Sequence, residues 1–125
     1  MIRSLLLAAC LAVAISASAV AAPRVYYRVP MGDAVHKPKR IVFKDLTLSR
    51  IEWTGWGRRR ATGTARARMN TCEPSCADGR IVRGRATLKM FRRHREGRRR
   101  FYGCMTGRVR AAGETQRVLW PPGCD

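Results

Sequence analysis

Apolar and polar residues alternate with a period of two along most of the chain, and glycine, proline, asparagine and aspartate cut the alternation into short pieces. That period puts successive side chains on opposite faces of a strand, and the interruptions are turn formers. The pattern predicts a first strand at 25–29, then a loop at 30–38 with a turn at Gly32-Asp33. Two apolar pieces, 41–43 and 46–48, flank Asp45, and 51–56 reads as the next strand. A long strand at 61–70 and a cysteine loop at 70–79 follow. The segments 80–90 and 99–110 then form a hairpin around Glu96-Gly97, and a last short strand at 117–120 ends at Pro121-Pro122. No amphipathic helix is visible beyond residue 22. Five to seven short strands with punctuating turns predict an all-β domain, a small sandwich or a barrel-like meander.

Reading the alternation face by face adds a functional expectation. In 61–70 one face carries Ala61, Gly63, Ala65, Ala67 and Met69, and the other Thr62, Thr64, Arg66 and Arg68. In 80–90, Val82, Gly84, Ala86, Leu88 and Met90 oppose Arg83, Arg85, Thr87 and Lys89. In 99–110, Phe101, Gly103, Met105 and Val109 oppose Arg100, Tyr102, Thr106, Arg108 and Arg110. If the three strands pair consecutively, the polar faces combine into one basic surface that includes Tyr102. The small residues of the other face leave room for the indole of Trp53, since glycine beneath an aromatic ring packs well in a sheet.

The N-terminus reads differently. Arg3 precedes an apolar run from Leu5 to Ile15, and small residues lead to Pro23, the three parts of a secretory signal peptide. Cleavage is expected after Ala21. A membrane span needs about 20 mainly apolar residues, more than this run offers. Leu7-Ala8-Ala9-Cys10 has the form of a lipoprotein cleavage box, but it leaves only nine residues ahead of Cys10, too few for a signal. The expected organisation is a signal peptide at 1–21 and one secreted β-rich domain at 22–125, with no integral membrane association after cleavage.

Charge and cysteines refine that picture. Lys and Arg total 26 against 8 acidic residues, 22 of the cations are Arg, and the net charge is +18. Such an excess surrounds the molecule with a positive field that attracts polyanions at low salt. Arginine also matches phosphate and carboxylate with a planar fork of donors. In an exported chain the four cysteines beyond the signal read as two disulfides with three possible pairings. The spacing Cys72-Glu73-Pro74-Ser75-Cys76 can close on itself in a turn centred on Pro74, which favours Cys72–Cys76 together with Cys104–Cys124. The oxidising compartment argues against a zinc site built from these residues.

Ile51-Glu52-Trp53-Thr54-Gly55-Trp56-Gly57 is the most distinctive stretch. Trp53, in phase with Ile51, is expected in the core. Trp56 then points outward as a platform for a sugar or base, unless a bulge at Gly55 turns it back to bury both rings. Together with Ala61-x-Gly63, Asn70-x-Cys72-x-Pro74-x-Cys76-Ala77-x2-Gly79 and the aromatic Tyr102, Trp53-x2-Trp56-Gly57 resembles a group of small secreted proteins of high-GC Gram-positive bacteria. The resemblance spans roughly residues 47 to 106. It implies an exported single-domain protein, a β-rich fold and a Cys72–Cys76 bridge, and it implies no activity. The heavy arginine load and the pair Cys104 and Cys124 depart from the group's pattern.

The run Arg92-Arg93-His94-Arg95-Glu96-Gly97-Arg98-Arg99-Arg100 reads either as a solvated hairpin loop or as an extension of the basic face. The expected polyanion contacts are therefore Arg66, Arg68, Arg83, Arg85, Lys89, Arg92, Arg93, Arg95, Arg98, Arg100, Arg108 and Arg110, with Trp56 and Tyr102 as stacking residues. No hydrolase elbow, zinc-protease helix, phosphate loop or dinucleotide fingerprint occurs, and the carboxylates are scattered singly. No enzyme, cofactor or metal is expected. The reading is a secreted basic protein that binds an anionic polymer, teichoic acid of the cell wall or extracellular nucleic acid, without sequence specificity. The alternatives are a structural envelope protein retained at the wall by charge and, further off, a cationic antimicrobial protein, for which an amphipathic helix or apolar edge is missing.

Overall fold

The computed structural model describes residues 24–124, so the expected signal peptide and its cleavage site lie outside the described residues. Every regular element among them is a strand: β1 (Val25–Arg28), β2 (Ala34–His36), β3 (Ile41–Val42), β4 (Leu46–Thr54), β5 (Ala61–Asn70), β6 (Ile81–Glu96), β7 (Arg99–Ala111) and β8 (Glu114–Trp120). They form one curled mixed sheet in the order β2-β1-β7-β6-β5-β4-β3, with β8 also on β7. The all-β expectation holds, and the architecture is a half-barrel.

The meander of β5, β6 and β7 is the backbone of the sheet. Both junctions are antiparallel, and β6 keeps one register with β7 from Gly84↔Ala111 to Glu96↔Arg99. The other edge of β7 is shared: its start pairs in parallel with β1, and the rest pairs with β8. Two expectations needed correction. The loop expected at 30–38 contains β2, which pairs with β1. The pieces at 46–48 and 51–56 belong to one strand, β4, with a bulge between Ser49 and Glu52 where Arg50 adopts a left-handed φ of 49°. The extra residue restores the phase, so Leu48 and Ile51 are both buried on the same side.

The concave face holds the core: Val25, Tyr27, Leu48, Ile51, Leu88, Met90, Met105 and Val109, with alanines of β5 and β6 between them. The curl brings distant members of the strand order together. Trp53 Nε1 donates to the Pro38 carbonyl at 2.7 Å, and Trp56 Nε1 donates to the Val25 carbonyl at 2.9 Å, joining the β4–β5 turn to β1. Tyr27 reaches the Trp120 carbonyl at 3.4 Å, and Phe43 packs edge-on against Trp120. The two indoles lie 4.9 Å apart.

The small residues beneath them are required by space. A Cβ on Gly63 would stand 2.7 Å from Cε3 of Trp53, so the glycine makes room for the indole as expected. Gly84 is tighter, because its Cβ would collide with the Arg110 backbone of the paired strand, which cannot rotate away. Gly84→Ala is therefore expected to destabilise the protein by about 1–3 kcal/mol, the usual cost of overpacking. At about 4–8 °C per kcal/mol for a domain of this size, thermal unfolding followed by circular dichroism will show it. A melt unchanged within 2 °C, roughly half that smallest shift, would mean that β6 and β7 can separate cheaply at this point.

Candidate anion-binding face

Registers across the sheet turn the alternating sequence into rows on its convex side. One row runs Ser49–Arg66–Arg85–Arg110–Thr115, and beside it lies Thr47–Arg68–Arg83. In the other direction along the strands come Glu52–Thr64–Thr87–Arg108–Arg117 and then Thr54–Thr62–Lys89–Thr106–Leu119. Neighbours within a row sit on strands about 4.8 Å apart, and successive rows are two residues, about 7 Å, apart. Arg66, Arg68, Arg83, Arg85, Lys89, Arg108, Arg110 and Arg117 are all exposed. None of them forms an ion pair among the described residues.

The rows set like charges opposite one another: Arg66↔Arg85, Arg85↔Arg110, Arg68↔Arg83 and Arg108↔Arg117. Directly opposed like charges destabilise a sheet, where a favourable pair would contribute about 0.2–1 kcal/mol. The face is thus a concentrated field of donors in which Glu52 is the single carboxylate, and it lies outside the two rows through Arg66 and Arg68. A shallow groove of about 780 Å³ lies over the two threonine-rich rows. Arg117 was missed in the sequence. Its place was legible in the phase of Arg117 and Leu119 against Val118 and Trp120, but only the pairing of β8 with β7 carries it to this face.

Seven of the expected polyanion contacts come together here: Arg66, Arg68, Arg83, Arg85, Lys89, Arg108 and Arg110. Arg100 does not join them. At Arg92 the backbone takes a φ of 55°, and the alternation changes phase across β6 and β7. Met90 and Met105 face the core on one side of this point; on the other, Tyr102 does. Arg100, in phase with Tyr102, follows it to the concave side and is half-buried. Phe101 is buried, as expected, but off the core cluster, against His94 and beneath the Arg28 guanidinium. Arg93 donates to the Gly57 carbonyl at 2.6 Å, whereas Arg92, Arg95 and Arg98 are exposed on the hairpin, away from the rows.

The stacking expectation is corrected for both aromatic residues. Tyr102 is buried; its hydroxyl donates to the Arg58 carbonyl at 2.5 Å and accepts the Gly57 N–H at 2.8 Å. Burial raises its pKa, against the opposing pull of the Gly57 N–H and the Arg93 charge. Trp56 follows the bulge alternative. Gly55 and Gly57 both take positive φ, and the ring turns back against Trp53 and Tyr102. These aromatics shape the core side of the sheet, and none of them enters the four rows.

The disulfides are Cys72–Cys76 and Cys104–Cys124. The first sits in the β5–β6 loop, where Asn70 bonds both the Cys72 N–H and the Cys76 carbonyl. Asp45 lies beside this pair, but sulfurs joined to each other supply no thiolates to a metal. The second ties the segment after β8 back to β7.

One ion pair cluster orders the arginine hairpin. Arg28 grips both carboxylate oxygens of Glu96, and His94 Nε2 lies 3.0 Å from one of them. These contacts, Arg28 first, hold the Glu96 carboxyl at about 2, below its ordinary 4.5. Both partners are about half exposed, so solvent screening keeps the effect on stability small. Its sign is fixed: the contribution is complete above pH 4.5 and is lost as the pH falls toward 2. Carboxyl-carbon NMR is expected to place the Glu96 midpoint near 2 and to move it back toward 4.5 in Arg28→Gln. An unmoved midpoint in that variant would remove Arg28 as the cause.

Comparison of the chain with family models, curated proteins and solved structures gives no match, so function has to be argued from the face itself.

Proposed function

We propose that this chain is an exported binding protein for anionic polymers and that the convex face of the sheet is its site. The observation that carries the reading is the stacking of arginines in register across β5, β6, β7 and β8 without carboxylate partners. Such an arrangement costs stability in the free protein. An external anion that fits between the guanidiniums removes the repulsion and gains charge-assisted hydrogen bonds, which are about twice as strong as neutral ones. A polymer fits better than a small ion, because the rows repeat over several strands and each contact releases counterions.

Export is supported by the sequence signal at 1–21 and by two disulfides in a small all-β domain. A binding role is favoured over catalysis because Glu52 is the lone carboxylate in the rows, and Glu96 with His94 is engaged by Arg28. Contacts to backbone charge carry no sequence information, so recognition is of the polymer class.

Arg85 gives the sharpest test, since it faces an arginine on both sides. Arg85→Thr is expected to raise stability at low salt by up to about 1 kcal/mol, through relief of two like-charge pairs, while weakening polymer binding. Thermal melts and a binding isotherm on the same sample check both signs. Replacing Arg66, Arg85 and Arg110 together by serine is expected to flatten the slope of log K against log salt by about 2, at about 0.7 per contact on a single chain. An unchanged slope would leave only diffuse charge and sink the localised site.

A further inference from the structure

The face is not uniformly cationic, and its division points to the ligand's chemistry. The two rows through Arg66 and Arg68 hold five arginines, with Thr47, Ser49 and Thr115 only at their ends, whereas the other two present five hydroxyls, most of them central: Thr54, Thr62, Thr64, Thr87 and Thr106. The groove of about 780 Å³ lies over these threonines, with Lys89, Arg108 and Arg117 among its walls and Glu52 at one side. Glu52 is exposed and forms no ion pair among the described residues, although Arg50, Arg66 and Arg85 line the same hollow.

That mixture is poorly matched to a ligand that only accepts hydrogen bonds. Phosphate oxygens need donors, which arginine and lysine supply; a carboxylate can only accept, and a hydroxyl does both. Glu52 and the threonines are of use to a ligand that brings hydroxyl donors of its own. Nucleobases, in contrast, call for aromatic platforms, and the rows contain no aromatic side chain, because Trp53, Trp56 and Tyr102 are all turned into the core side.

Resting on the polyanion reading above, we propose that the ligand is a phosphate polymer whose phosphates are linked by polyols or sugars. The arginine rows take the phosphates. The threonine groove and Glu52 take the hydroxyls of the linking units. Two rows lie about 7 Å apart along the strands, so one chain laid across them meets both kinds of group.

The test compares three probes on the exported, disulfide-bonded protein at physiological salt: poly(glycerol phosphate), inorganic polyphosphate of similar length, and single-stranded DNA. The variant Thr62→Val, Thr64→Val, Thr87→Val keeps shape, charge and strand propensity while deleting three hydroxyls. It is expected to weaken poly(glycerol phosphate) binding by about tenfold or more and to change polyphosphate binding by less than about twofold, within the scatter of a single weak hydrogen bond. Serine at the same three positions is expected to restore the preference, which a folding defect would not allow. Equal losses on both polymers, or no loss on either, would overturn the hydroxyl assignment while leaving the arginine rows as a site. Tighter binding of single-stranded DNA than of poly(glycerol phosphate) by the unaltered protein overturns it in favour of nucleic acid. If the unaltered protein binds none of the three, the polyanion reading itself fails.

Discussion

The fold depends on closing a curled sheet whose members are far apart in the strand order, and indole N–H groups make that closure. Trp53 and Trp56 lie against each other inside the curl and donate to the carbonyls of Pro38 and Val25. Tyr102 completes the knot by binding the turn at Gly57 and Arg58. Each ring contributes apolar area to a core otherwise built of Tyr27, alanine, methionine and branched aliphatics, and each polar tip finds a partner. An unpaired buried donor would cost about 1–3 kcal/mol, and no buried side-chain nitrogen or oxygen is left unpaired among the described residues. The glycines follow from the same constraint, Gly63 being the space into which the Trp53 ring fits.

Closing the sheet by its concave side sets the terms for the convex one. With Trp53, Trp56 and Tyr102 committed inward, the four outward rows carry mainly threonine, arginine and lysine, with a single glutamate. A rigid sheet spaces those groups in two dimensions at fixed intervals, which a loop of the same composition would not do. The arginine hairpin at 92–100 illustrates the contrast. It is as basic as the rows, yet part of its charge is spent locally: Arg93 holds a backbone carbonyl, and Arg99 lies over Tyr26.

Two residues with left-handed backbone, Arg50 and Arg92, decide which side of the sheet their neighbours occupy. Such conformations are uncommon for non-glycine residues. At Arg50 the irregularity lets Leu48 and Ile51 share the core. At Arg92 it exchanges Phe101 for Tyr102 and removes Arg100 from the convex face. The site is therefore bounded by a backbone feature rather than by composition, since arginines continue well past its edge.

Much of this was legible in the amino-acid order, because period-two alternation survives in any regular strand whatever its neighbours. The 61–70 strand, the hairpin turn at Glu96-Gly97, the inward small residues and the outward arginines of β5 and β6 all follow from it. Cysteine spacing likewise pointed to both disulfides. Three things waited for the tertiary structure. The phase changes at Arg50 and Arg92 are single-residue departures that no local residue type announces, arginine being an ordinary strand-surface residue. The inward turn of Trp56 depends on a carbonyl in β1, thirty-one residues away. The place of Arg117 depends on which edge of β7 was left open by the short β1. Local periodicity specifies faces, but the partner of each face, and so the boundary of the binding surface, is a property of non-local pairing.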